Sequence, residues 1–274
     1  MLILAYDVGT SGVKTCLYQA GSELTLVNSR LGTYGLTILP NGGAEQDPDQ
    51  WWDAIVKTTR ELARENPQEM AEVQAISFCS QMQALVLVDE SGHHLRPAMS
   101  YMDQRAAEQK RRGLETGMKI SGMNAKKLLS SLYRTSAVSA SVKDPMWKYL
   151  WVRDNEPEVY AKVHKWLDVK EYLIARLTGN FVMSVDSAFA TLLLDVRSSR
   201  PAWASRLARS FGVNPDHLAP IVTSATAVGT LLPEVAQELG LPQTTTVYAG
   251  GGDASLIGVG ACLLYTSPSP RDRG

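Results

Sequence analysis

Leu2-Ile3-Leu4-Ala5-Tyr6-Asp7-Val8-Gly9-Thr10-Ser11-Gly12-Val13-Lys14 decides how this chain is read. It opens as an apolar run of strand length and breaks at Asp7-Val8-Gly9-Thr10-Ser11-Gly12. A second β-prone run, Val13–Tyr18, follows, so the stretch predicts a strand, a tight polar turn and a return strand. Gly9 and Gly12 let the backbone bend and approach a ligand closely. Main-chain N–H groups and the hydroxyls of Thr10 and Ser11 could then face an anion, with Lys14 adding a cation. Asp7, at the strand end, could hold a metal through oxygen. A phosphate-gripping hairpin needs these parts, and an ordinary hairpin turn rich in small residues contains them too, because short glycine motifs recur by chance.

Downstream, Leu24–Arg30 pairs with Lys14–Gln19 around Ala20-Gly21-Ser22-Glu23, giving a three-stranded meander with Leu2–Tyr6. Leu31–Ala44, glycine-rich and polar, reads as a loop. Asp47 then suits an N-cap, Pro48 the first helical position and Gln50 the third residue of a capping box. The helix runs from Pro48 to about Glu65, with Trp52, Ile55, Val56, Thr59, Leu62 and Ala63 as its apolar stripe, and Asn66-Pro67 ends it. Val73–Phe78 and Ala84–Val88 read as strands. From Glu108 to Leu177 the pattern is predominantly helical, with Lys148–Asp154, Pro157–Trp166 and Val169–Leu177 as short amphipathic pieces and Gly179 as a C-terminal cap. Trp203–Phe211 and Val235–Leu239 are helices ending at Gly212 and Gly240. Thr245–Ala249 is a strand that breaks at Gly250-Gly251-Gly252-Asp253. This order predicts an α/β protein, a mixed sheet flanked by helices. Two loops at strand C-termini, Asp7-Val8-Gly9 and Gly250–Asp253, carry the same chemistry. Ligands gather outside those ends in open α/β sheets, which favours the phosphate reading.

Composition narrows the partners. With 27 basic and 28 acidic residues in 274, the formal net charge is −1, so no global field recruits nucleic acid or an anionic membrane. Cys16, Cys79 and Cys262 are scattered and odd in number, which fits small buried residues better than a disulfide framework or metal knuckle. The N-terminus lacks a basic leader and its apolar run is too short to span a bilayer, so a reducing cytoplasm is expected. Tyr265-Thr266-Ser267-Pro268-Ser269-Pro270-Arg271-Asp272-Arg273-Gly274 shifts sharply to serine, proline and arginine. That tail, 263–274, resembles an in-frame sequencing-adapter peptide, with a native flexible tail as the alternative.

Taken in order, these motifs resemble the FGGY carbohydrate kinases, and the resemblance runs from Leu2 to about Ala261. Tyr6–Lys14 is similar to the family's first phosphate loop, and Glu45-Gln46-Asp47-Pro48-Asp49-Gln50-Trp51-Trp52 to the acidic–Trp helix start that follows it. Ser80-Gln81-Met82-Gln83 and Asp103-Gln104-Arg105 fall where the family contacts its sugar. Leu177-Thr178-Gly179 resembles its LTG turn, and Gly250-Gly251-Gly252-Asp253 the loop bearing its aspartate base. Xylulokinase-type members are nearest in pattern. The resemblance implies a ribonuclease H-like, actin-like ATPase domain over residues 1–262, with a helical insertion at about 108–180.

It also implies the chemistry. Asp253 would be the general base toward a sugar hydroxyl, and Asp7 would orient Mg²⁺ near the phosphates. Thr10, Ser11, Gly12, Lys14, Gly251 and Gly252 would line the ATP phosphate path. Met82, Gln83, Asp103 and Asp253 would meet the sugar, although Gln81–Gln83 could simply end a strand and Asp103 could simply pair with Arg105. The activity implied is ATP-dependent phosphorylation of a pentulose such as xylulose, or of a related ketose or polyol. A homodimer is the implied state of the full-length enzyme. The family has Met-His-Gly where this chain has Met82-Gln83-Ala84, and Trp where it has Tyr101, so the sugar pocket's donors and stacking surface differ. The family's second, adenosine-binding lobe has no counterpart here, so the expectation is an N-terminal half inactive alone. The rival expectation is a non-catalytic sugar- or phosphate-binding regulator or scaffold on the same fold.

Overall fold

β1 (Leu2–Val8) lies inside a seven-stranded sheet in the computed structural model, which describes residues 1–260. Its alternation explains the placement: Leu4, Tyr6 and Val8 are fully buried, while Asp7 points out. β2 (Gly12–Ala20) pairs with it antiparallel, Asp7 opposite Lys14. β3 (Leu24–Thr33) pairs antiparallel with β2 and forms the sheet edge. On its other side β1 runs parallel to Val73–Ser80, with Asp7 opposite Cys79. Beyond that strand come Thr246–Tyr248, parallel, and Ala227–Thr230, antiparallel. The mixed sheet flanked by helices is therefore as expected. α1 (Pro48–Glu65) buries Trp51, Trp52, Ile55 and Leu62 in the core it shares with the sheet. Tyr6 on β1 and Thr59 on α1 share a buried hydroxyl–hydroxyl bond of 2.8 Å.

Several local expectations change. The capping box does not close: Asp47 accepts the Asp49 N–H at 3.0 Å, but Gln50 Oε1 takes the Gly35 N–H at 3.1 Å, serving a loop donor instead. Leu31–Ala44 is not wholly loop, because β3 continues to Thr33 and Thr37–Ile38 pairs with Ala44–Gln46. Pro157–Trp166 splits into a helix, Pro157–Tyr160, and a strand, Lys165–Leu167, that pairs antiparallel with Val86–Val88. Trp166 drives the split, being fully buried and stacked on Tyr149 at 5.3 Å, which a strand turn delivers. Gly251–Gly252 is not merely a break, since it rejoins the sheet alongside Val73–Ser80. The kink is at Gly250, φ +64°, where a side chain would collide with the Phe78 carbonyl.

Two hydrophobic cores form among the described residues. One joins the sheet, α1 and the helices Val169–Thr178 and Pro233–Leu239. The other is built on Trp147, Tyr149, Trp166 and Phe211, from residues between Leu85 and Leu218. Its limits do not coincide with 108–180, because Val169–Thr178 packs on the sheet core. Cys262 and the segment 263–274 lie outside the described residues. No helix among the described residues is long and apolar enough to cross a membrane.

Candidate active site

Asp7, Cys79 and Gly251 sit side by side on three parallel strand segments at the sheet's C-terminal edge. Asp253 opens the helix Asp253–Gly260 two residues beyond Gly251. Asp7 and Asp253 thus flank one strand end, and burial together with the Asp7 charge pushes the Cys79 thiol between them up to about 12. A cleft of about 820 Å³ opens beside Asp253. Thr10, Met82, Gln83 and Asp253 line it, joined by Tyr101, Asp186 and an apolar wall of Val185, Phe189, Leu192 and Leu194. Asp7 and Lys14 face an adjoining hollow of about 330 Å³ with Cys79 and Leu256. The first turn of the Asp253 helix borders both spaces, giving Ala254 and Ser255 to the cleft and Leu256 to the hollow.

The first loop keeps part of its expected donor set. Gly9 N–H is spent on the Gly12 carbonyl at 2.9 Å, and Tyr34 OH reaches the Gly9 and Gly12 carbonyls at 2.7 and 2.9 Å. Gly9 N–H is therefore not available to an anion. The N–H groups of Thr10 and Ser11 have no protein acceptor among the described residues. Gly12 is demanded by packing, because a Cβ there would collide with the Gly32 carbonyl of β3. The exposed Asp7 carboxylate, the Lys14 ammonium and the two free N–H groups together fit the phosphates and metal of a magnesium nucleotide.

Behind Asp253 lies a buried polar cluster. Asp186 Oδ2 accepts the Gly252 N–H at 2.5 Å, and its Oδ1 accepts the Ser184 hydroxyl at 2.5 Å. Burial pulls Asp186 upward, yet Lys170, the Gly252 N–H and Ser184 hold its carboxyl below the usual carboxylate range. Lys170, fully buried, donates to Glu171 at 2.5 Å, Ser184 at 2.7 Å and Ser187 at 2.5 Å. A Cβ at Gly252 would push the Met82 side chain out of its place, and a Cβ at Gly251 would crowd Leu256.

On the opposite side, Gln83 takes φ +64°, unusual for a residue with a side chain. Its N–H donates to Asp168 at 2.7 Å and its carbonyl accepts from Lys148 at 2.7 Å. Gln46 Nε2 donates to the Thr10 carbonyl at 2.8 Å, and Gln81 Nε2 donates to Gln46 Oε1 at 2.8 Å. Gln81 Oε1 is left buried with no partner among the described residues. Asp103 is placed apart from the cleft: fully buried, it accepts the Ala44 N–H at 2.8 Å and pairs with Arg105 at 2.7 Å. Arg105 in turn holds Glu45 at 2.8 Å, so Asp103 braces the Ala44–Gln46 strand. Asp186, Gln46, Lys148 and Asp168 escaped the sequence reading. Lys148 carried a usable signal, being a lone charge within the apolar stretch Trp147–Leu150.

Residues 2–260 match the model for the FGGY family of carbohydrate kinases, N-terminal domain. This chain belongs to that family. The xylulose kinase of Bacillus subtilis (strain 168) is 31% identical over 263 residues, covering 96% of this chain and 50% of the relative. The crystal structure of a xyloylose kinase from Brucella ovis superposes with a TM-score of 0.81 at 26% identity, covering 93% of this chain and 49% of that one. A gluconate kinase from Lactobacillus acidophilus gives a TM-score of 0.79 at 26% identity, covering 95% and 50%. The chain spans about half the length of the relatives it matches. As an FGGY domain it shares the actin-like fold of these kinases, and its cleft lies at the ends of the parallel strands, where that fold places a ligand.

Proposed function

We propose that this chain supplies the sugar-binding half of an ATP-dependent carbohydrate kinase acting on a pentulose such as xylulose or a related ketose or polyol, with Asp253 as general base. The observation that carries the reading is the convergence of Asp253, Met82 and Gln83 on one cleft that Thr10 of the first loop also enters. Asp253 takes the proton of a sugar hydroxyl as that oxygen bonds to the γ-phosphorus of ATP, and the bond from phosphorus to ADP breaks. Thr10, Ser11 and Lys14 steady the phosphates, and the Gly12 and Gly252 backbones permit the close approach of neighbouring segments. Mg²⁺ held through Asp7 would neutralise phosphate charge. Met82, Gln83 and Tyr101 orient the sugar so that one hydroxyl meets Asp253, and Asp103 supports that wall from behind through Ala44–Gln46.

The test measures sugar-dependent ADP release by this chain joined to the remaining half that its relatives carry, beside sugar binding by calorimetry. Asp253→Ala is expected to abolish ADP release and leave sugar affinity within a few-fold. Undiminished release by that variant would overturn the role of Asp253.

A further inference from the structure

The charged side chains lining the cleft are both carboxylates, Asp186 and Asp253, and no lysine or arginine lines it among the described residues. The cations nearby are turned away from it. Lys170 is fully buried behind Asp186. Lys148, also fully buried, spends its ammonium on two carbonyls, Gln83 at 2.7 Å and Ser100 at 2.8 Å. A buried ammonium is costly unless such acceptors need it, and here it ties together the two segments that carry Gln83 and Tyr101 into the cleft. Asp168 grips the same turn from the other side, accepting Gln83 N–H at 2.7 Å and Ala84 N–H at 3.0 Å. It also caps the helix Val169–Thr178 through the Val169 N–H at 2.8 Å.

With its N–H held by Asp168 and its carbonyl by Lys148, Gln83 has only its side-chain amide left for a substrate. That amide makes one long contact, 3.5 Å, to the Ala190 carbonyl. A neutral amide both donates to and accepts from hydroxyls, and it offers no charge to a carboxylate. We propose that Gln83, fixed in its left-handed conformation by Lys148 and Asp168, makes this cleft select a neutral polyhydroxylated substrate over a sugar acid. Lys148 and Asp168 act as positioning residues. The inference rests on the carbohydrate-kinase reading and divides two substrate classes within it. A sugar acid entering here meets the Asp253 carboxylate and that of Asp186, which only Lys170 at 3.8 Å offsets from behind, with no cation lining the cleft among the described residues, an arrangement that disfavours it by repulsion.

Calorimetric titration of the 274-residue chain with xylulose and with gluconate tests this. Xylulose is expected to bind about tenfold or more tightly than gluconate, and Gln83→Lys to shift that ratio about tenfold toward gluconate. Lys148→Met is expected to weaken xylulose about tenfold in the parent background, yet to have little further effect in Gln83→Gly, whose backbone adopts the turn unaided. Equal affinity of the parent for the two probes overturns the selectivity and leaves the kinase reading standing. Binding of neither overturns that reading and this inference with it. Gln83→Asn shortens the amide and leaves both clamps untouched, so it serves if the Lys148 variant does not fold. Loss of xylulose affinity in Gln83→Asn supports the assignment, and unchanged affinity overturns it.

Discussion

The Asp186 carboxylate holds the Gly252 N–H at 2.5 Å, one residue before Asp253. The helix start carrying Asp253, the proposed base, is thereby tied to a second element, Val185–Ala190, through one charge-assisted bond. Asp186→Ala frees the Gly252 N–H and lets Asp253 drift. Turnover of the enzyme joined to its relatives' second half is expected to fall roughly ten- to a hundredfold. Sugar affinity should change much less, and steady-state kinetics beside calorimetry separate the two. An equal loss in both would show that Asp186 serves binding and not the placement of Asp253.

Gly252→Ala places a methyl against Met82. Overpacking of this kind costs about 1–3 kcal/mol, here paid at the cleft wall. Chemical denaturation should show that loss, and the double variant Gly252→Ala with Met82→Ala should recover part of it. No recovery would mean the glycine is needed for its backbone alone.

The Lys170–Glu171 pair is buried with Ser184 and Ser187 as its other hydrogen-bond partners and Asp186 3.8 Å from the same ammonium. Lys170→Met leaves the Glu171 charge uncompensated and is expected to cost about 3–5 kcal/mol. Lys170→Met with Glu171→Leu removes both charges and should be milder than the single change. Urea titrations decide it, and a double variant worse than the single one would refute the account.

Asp168 links pH to stability. Burial, and then the neighbouring Glu171 charge, push its carboxyl from the ordinary 3.8 up to about 7, against the pull of Lys170 and of the Val169 and Gln83 N–H groups. The folded chain therefore keeps a proton there that the unfolded chain has released between those values. This contribution to stability is full below the unfolded pKa and lost as pH rises through the folded one. Asp168→Asn lacks it. The stability of the parent minus that of the variant is expected to shrink as pH is raised from about 4 to 7 and to level off above. Denaturation midpoints at stepped pH check this, and a difference that grows over the range would contradict it.

How much of this was legible in sequence follows from the range of the forces involved. The β1–β2 hairpin and α1 are set by local alternation, a proline at the first helical turn and an Asp N-cap, so Leu2–Val8, Gly12–Ala20 and Pro48–Glu65 could be read from neighbours alone. Lys165–Leu167 could not, because its strand character comes from a partner at Val86–Val88 and from the Tyr149 ring. The candidate site divides in the same way. Asp7, Thr10, Met82, Gln83 and Asp253 stand at or beside strand ends that the local sequence marks. Asp186, Lys148, Asp168 and Gln46 act across 66, 65, 85 and 36 residues of chain, and nothing in their immediate neighbours announces the partner.

The Thr10–Gln46–Gln81 chain has a direction. A main-chain carbonyl can only accept, so Thr10 obliges Gln46 to present its amino group, and Gln46 then obliges Gln81 to do the same. The lone oxygen of Gln81, left at the far end beside the cleft, is thus an acceptor by inheritance from the first loop. Were the Thr10 carbonyl to swing away, both amides would be released to rotate and the end of the chain could become a donor. The hairpin and the cleft wall are therefore not free to change separately: a substitution in one rewrites the polarity that the other offers.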